Sequence, residues 1–310
     1  MNTHSYTGGF MKQYKVKTLD LKTGETMAYR QAGKKGPVIL LIHGNMSSSV
    51  HFQPLMEMLE KDFQVYAIDL PGFGDSTYNR PLDSLQDIAK DVGAFIEHLD
   101  LSDINLVGWS TGGGVALETA VDYVDRIRQI FLLSSVGVQG LELYDSRRRL
   151  MDGLKLKRIF RKEEIAADPF TYGQSNYALT QQDRDYFKLL WSQIYKLKQP
   201  DEADFDCYID AVLKQRNLLD IMHALAIFNM TTSDNGVSEG SGRLYQLRIP
   251  ITLLHGDHDA IVSIEDAKNS LEFIGNRAEL IVFEDANHSL LTDDLLRVYE
   301  EIVTRIVDLD

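Results

Sequence analysis

The spacing of apolar residues along this chain changes period repeatedly, and each change marks an element. Val38–His43 and Ile104–Val107 are continuous apolar runs, the pattern of strands buried on both faces. Phe63–Ile68, Ile127–Leu133, Ile251–His255 and Glu279–Phe283 read as further strands. Between them, Ser84–Leu99 places Leu85, Ile88, Ala89, Val92, Phe95, Ile96 and Leu99 at helical spacing with polar residues between. Helices are also predicted over 49–60, 111–121, 264–274 and 292–307. Tyr14–Leu21 and Glu25–Ala32 form an opening hairpin around Lys22-Thr23-Gly24. Alternating strands and helices imply a mostly parallel sheet covered by helices on both faces.

The alternation stops after the sixth strand. From Val136 to Ser241 the chain is charged, aromatic and helical in flavour, with Phe160, Tyr172, Tyr186, Phe187, Trp191 and Tyr195 and no apolar run suited to a buried strand. Ser233–Gly242 reads as a flexible return loop. The expected organisation is a core of residues 1–135 and 242–310 with a helical cap of residues 136–241. An insert at that point lies over the C-terminal ends of the strands, where open α/β sheets bind ligands, so it is a natural lid. The alternative role is an interface between copies of the chain.

Composition narrows the function classes. The 310 residues are 44% hydrophobic, ample for a large core. The formal net charge is −14 with no long basic run, which argues against nucleic acid and anionic membrane surfaces as partners. Met1–Phe10 has no charged start followed by an apolar run, and no apolar stretch is long enough to cross a membrane. Cys207 is the only cysteine, so no intrachain disulfide forms, and a cytoplasmic location is expected. Asp204, Asp206 and Asp210 around it oppose a thiolate. Oligomeric state is not legible.

The densest chemistry lies in Gly108-Trp109-Ser110-Thr111-Gly112, between a strand and a helix. A serine on so tight a turn is pushed out of the sheet edge, and side chains on its flanking residues would collide. The helix N-terminus beneath it offers backbone N–H groups to developing negative charge. A nucleophilic serine needs a base, a group that orients the base, and an oxyanion pocket. His288, just past the last strand, is the base candidate. Asp259 is the orienting acid, because a turn after Gly256 must form before a carboxylate can swing towards the base; Asp257 is its competitor. The oxyanion donors are the backbone N–H of Thr111 and that of Asn45, in the loop His43-Gly44-Asn45-Met46. Trp109 and Trp191 are candidate pocket residues, Trp109 with packing beneath the turn as its other reading. His51, His98 and His223 fall in predicted helices and read as packing or surface residues. His255, Asp257, His258 and Asp259 cluster, but neighbouring ligands on one short turn cannot all face one ion, so no metal and no cofactor are expected.

These landmarks together resemble the α/β-hydrolase family over residues 14–135 and 245–308. They are His43-Gly44-Asn45 after one buried strand, Asp69-Leu-Pro-Gly-Phe-Gly-Asp-Ser76 after the next, the Ser110 elbow, and then Asp259 and His288 in that chain order. The resemblance implies an α/β-hydrolase fold: a mostly parallel eight-stranded sheet, helices on both faces, and a cap inserted after strand 6. It also implies a serine esterase that transfers an acyl group from a small-molecule ester to water. Serine at 110 argues against haloalkane dehalogenase and epoxide hydrolase chemistry, which use aspartate there. Intracellular polyhydroxyalkanoate depolymerase-like hydrolases, carbon–carbon bond hydrolases and perhydrolases share the triad and stay open. So does a slow-turnover small-molecule receptor. Asn287 stands before the histidine where the family commonly has glycine.

Overall fold

The computed structural model describes residues 10–149 and 157–309, so the reading of Met1–Phe10 lies almost wholly outside the described residues. Eight strands form one sheet: β1 (Lys17–Asp20), β2 (Thr26–Ala32), β3 (Val38–Ile42), β4 (Gln64–Ile68), β5 (Ile104–Trp109), β6 (Ile127–Leu133), β7 (Ile251–Gly256) and β8 (Ala278–Phe283). Their spatial order is β1-β2-β4-β3-β5-β6-β7-β8. β1 and β2 form an antiparallel hairpin, β2 runs antiparallel to β4, and the other pairs are parallel. The chain steps from β3 outward to β4 and then back across to β5. The loops after β3 and β5 therefore leave the sheet on opposite sides of a topological switch point, where a crevice opens.

The apolar runs are continuous because both faces are covered. On β3, Leu40 and Ile42 pack with Ile88, Val92 and Val115 of α2 (Leu85–His98) and α3 (Thr111–Asp122), after α1 (Gln53–Leu59) has crossed the other face. Ile39 and Leu41 point the opposite way, into a cluster with Leu55 and Leu59 of α1. Each such buried side chain contributes about 2 kcal/mol of transfer free energy.

Among the described residues, helices and one isolated bridge (Tyr144 with Arg158) lie between β6 and β7. The helices are α4 (Ser146–Arg149), α5 (Lys162–Ala166), α6 (Gln174–Gln181), α7 (Arg184–Ser192), α8 (Glu202–Val212) and α9 (Leu218–Ile227). The return loop is more constrained than its composition predicts. Asn229 Nδ2 donates to Ser233 O at 2.8 Å, and Asn235 Nδ2 donates to Gln139 O at 2.8 Å. The Asn235 side-chain oxygen accepts the N–H groups of Val237 and Ser238. Side chains that bond to local backbone give irregular chain a fixed path.

The core closes with α10 (Ile264–Ile274), α11 (Leu290–Asp293) and α12 (Leu295–Asp308). The single helix expected over 292–307 is thus two. Asp294, at φ −148°, leaves helical geometry and caps α12 by accepting the N–H of Arg297. Likewise the helix expected from Ser49 begins as a 3-10 turn, Ser49–Phe52, capped by Ser48, before α1 starts with Pro54 in its first turn.

Candidate active site

Ser110 links β5 to α3 at φ 55° and ψ −122°, a left-handed conformation that costs a non-glycine residue on the order of 1–3 kcal/mol. The surrounding bonds hold it there: Ser110 N–H donates to Leu133 O at 3.0 Å, and Ser110 O accepts from Gly113 N–H at 3.0 Å and Val136 N–H at 3.1 Å. The flanking glycines are steric requirements. A Cβ on Gly108 would lie 2.4 Å from Gly112 O, and one on Gly112 would lie 2.1 Å from Ile42 O. The turn therefore wedges against the end of β3.

The loop after β3 is fixed from beneath. His43 Nε2 accepts Leu70 N–H at 3.0 Å, which leaves Nδ1–H to donate to Gly44 O at 2.7 Å. Burial pushes His43 below the ordinary histidine range, against the pull of Asp69, so the ring stays neutral and its tautomer is set. Gly44 then passes directly over the elbow: a Cβ there would be 2.8 Å from Ser110 Cβ. The N–H groups of Asn45 and Thr111 take no protein acceptor among the described residues, whereas Met46 N–H is bonded to Gln215 Oε1 at 3.0 Å. Thr111 is the first residue of α3, whose N-terminal dipole end faces the serine.

Beyond β7, the two acidic candidates separate. Asp257 turns to His258, 2.7 Å away, at the surface. Asp259 Oδ2 lies 2.8 Å from His288 Nδ1, with its carboxyl group wholly buried. Its Oδ1 accepts the N–H groups of Ile261 at 2.8 Å and Val262 at 2.9 Å. Burial pushes this carboxyl group up. The neighbouring His288, its hydrogen bond, His255 and the Val262 N–H outweigh that and hold it below the usual carboxylate range. His255, which the sequence offered only as a member of an improbable metal cluster, places Nε2 3.3 Å from the same Oδ2 and 2.9 Å from Val262 O. Burial drives His255 down, against the pull of Asp259 and of the Val262 carbonyl it is bonded to.

His288 is tethered at its own backbone. Its N–H donates to Asn287 Oδ1 at 2.8 Å, and its carbonyl accepts from Trp109 Nε1 at 3.1 Å. Asn287 Oδ1 also accepts Ala260 N–H at 2.9 Å, and its Nδ2 donates to Gln193 O at 2.8 Å. One asparagine thus joins the acid loop, the histidine and the end of α7, which accounts for a side chain in the place where glycine is common.

Ser110 and His288 meet as lining residues of one cavity of about 220 Å³. No hydrogen bond joins the Ser110 hydroxyl to the ring among the described residues. Asn45, Met46, Trp109, Trp191, Ile194 and Ile261 supply most of the remaining wall, so Asn45 and both tryptophans fall at the serine. Trp109 does both things the sequence allowed: it lines the cavity and packs beneath the elbow, 2% exposed. Leu190, Gln193 and Ala260 also line it, and like Ile194 they carry no sequence signal that marked them. His51 sits in the 3-10 turn Ser49–Phe52 as a buried packing residue. It stacks on Tyr208 with ring centroids 4.5 Å apart and approaches Trp191 at 4.7 Å, and burial pushes its pKa down to about 3. No cluster of His, Cys, Asp or Glu suited to a metal ion occurs among the described residues.

The family model for the alpha/beta hydrolase fold matches residues 37–295. The chain belongs to that family. It is similar to Lipase 1 of Psychrobacter immobilis, 24% identical over 283 residues, covering 90% of this chain and 80% of that protein. A shorter match, 28% identical over 123 residues, links 39% of this hydrolase to 44% of a poly(3-hydroxyalkanoate) depolymerase of Ectopseudomonas oleovorans. Among solved structures, an esterase from Exiguobacterium antarcticum superposes with a TM-score of 0.71 at 19% identity, covering 93% of this chain and 98% of that one. No helix among the described residues is long and apolar enough to cross a membrane.

Proposed function

We propose that this hydrolase cleaves carboxylic esters through an acyl-enzyme on Ser110. The observation that carries the reading is the buried Asp259–His288 pair at 2.8 Å, opening on the same cavity as a serine held at φ 55°. Ser110 Oγ attacks the ester carbonyl carbon while His288 Nε2 takes its proton. Asp259 keeps the other ring nitrogen protonated and stabilises the imidazolium. The tetrahedral oxyanion sits on the N–H groups of Asn45 and Thr111. His288 then returns the proton to the leaving alcohol, and water repeats the sequence to free the acid.

Substrate class follows from the wall. Among the described residues no Lys, Arg, Asp or Glu lines the cavity, so a charged acyl group would enter without a partner. The largely apolar wall of this cavity suits a neutral ester with a small to medium acyl group. The helical segment between β6 and β7 serves as the cap, since α7 supplies Leu190 and Trp191 to the wall. The free thiol of Cys207 is consistent with work in the cytoplasm.

Turnover of p-nitrophenyl butyrate tests the reading. Repeated turnover, absent in Ser110→Ala, supports it. A single burst that stalls would make the protein a slow receptor, and no release at all would remove the esterase assignment.

A further inference from the structure

The segment joining α8 to α9 is bolted to two core loops. Arg216 N–H donates to Gly72 O at 2.8 Å, and Lys214 pairs with Asp75 at 2.6 Å. At its centre Gln215 is 5% exposed and bonds to three groups. Its Oε1 accepts Met46 N–H at 3.0 Å, and its Nε2 donates to Asn45 Oδ1 at 2.7 Å and to Asn217 Oδ1 at 3.1 Å. Asn217 Nδ2 in turn donates to Pro71 O at 2.7 Å.

Amide groups can be turned about, but this network permits one arrangement. A backbone N–H only donates and a backbone carbonyl only accepts. Met46 N–H therefore requires the oxygen of Gln215, and Pro71 C=O requires the nitrogen of Asn217. The two ends force Gln215 Nε2 into the middle, and Asn45 must answer with its oxygen. Its nitrogen then faces away, and takes no protein partner among the described residues. Asn45 lines the cavity beside Ser110, and the next residue, Met46, is itself held at φ 51° by the Gln215 bond.

We propose that Gln215 is a positioning residue: it orients the Asn45 side chain so that the amide NH2 joins the two backbone N–H groups as a third donor to the oxyanion. The inference rests on the esterase reading of the site. It makes the joint between α8 and α9 a support of the oxyanion hole, although none of its residues is among those that line the cavity.

Gln215→Glu tests it. The carboxylate still accepts Met46 N–H but offers oxygen where Asn45 needs a donor. Asn45 must rotate its nitrogen towards the glutamate and its oxygen towards the developing negative charge. Hydrolysis of p-nitrophenyl butyrate by the full chain should fall on the order of 100-fold in kcat, with KM within about twofold, the thermal midpoint recording that the variant is folded. In an Asn45→Ala background the same substitution should change kcat little. Asn45→Asp is the second variant. It keeps the acceptor that Gln215 needs and exchanges only the nitrogen proposed as the third donor for oxygen, so kcat should fall at least as far. Wild-type kcat in either single variant, a loss confined to KM, or an equal loss from Gln215→Glu with and without Asn45 would each overturn the proposal. A wild-type chain that neither turns over ester nor is labelled at Ser110 by a fluorophosphonate would instead sink the esterase reading.

Discussion

Gly44→Ala puts the geometry of the elbow to a quantitative test. The added Cβ would lie 2.8 Å from Ser110 Cβ, 3.1 Å from Trp109 O and 3.3 Å from Ser110 Oγ. Carbon atoms in contact prefer about 3.5–4.0 Å, so the overlap with Ser110 is on the order of 1 Å. The serine backbone cannot yield readily, because Leu133, Gly113 and Val136 fix both its N–H and its carbonyl. Relief must move either the serine side chain or the loop that carries Asn45, and both change the distance between nucleophile and oxyanion donors. A displacement of about 1 Å costs roughly 100-fold in rate, or about 2.7 kcal/mol of barrier. The assay is steady-state hydrolysis of p-nitrophenyl butyrate with the thermal midpoint measured beside it. Gly137→Ala is the control, since a Cβ there meets its nearest neighbour, Asp266 Cβ, at an ordinary 3.5 Å. A folded Gly44→Ala protein with kcat within twofold of wild type would refute the close approach of the two loops.

Asp259→Asn should lower kcat on the order of 10⁴-fold, as removal of the orienting charge does in serine proteases. Asp259 is held below its ordinary 3.8 in the fold, so the stability it contributes is complete above that ordinary value and is lost as pH falls through the lowered one. The gap in thermal midpoint between wild type and Asp259→Asn should therefore shrink on acidification below pH 3.8; a gap independent of pH contradicts the ion pair. Asn287→Gly removes the shared acceptor of Ala260 and His288 and the donor to Gln193. At about 1 kcal/mol per bond, urea unfolding should show a loss of roughly 3 kcal/mol, and unchanged stability would mean those bonds hold nothing.

The sheet and its covering helices were legible because strands buried on both faces leave continuous apolar runs, and the elbow because glycines there are dictated by backbone contact. Turn geometry after Gly256 favoured Asp259 over Asp257, and the structure brings Asp259 to His288. Competition for backbone hydrogen bonds was less legible: Asp294 divides the last helix, and Asn229 and Asn235 order a loop whose composition reads as flexible. Least visible were partnerships across long separations. Gln215 meets Asn45 170 positions away, and nothing in either local sequence marks the pair. For His51 the sequence left packing and surface roles open, because the aromatic partners that decide for packing, Trp191 and Tyr208, come from the helical segment far along the chain.

Peptide mapping by mass spectrometry after reaction with a fluorophosphonate probes the central claim most directly. The account predicts a single adduct on the Ser110 hydroxyl, formed fast in wild type and slowly in His288→Ala. An adduct on another residue, or one on Ser110 that forms equally fast without His288, would contradict it.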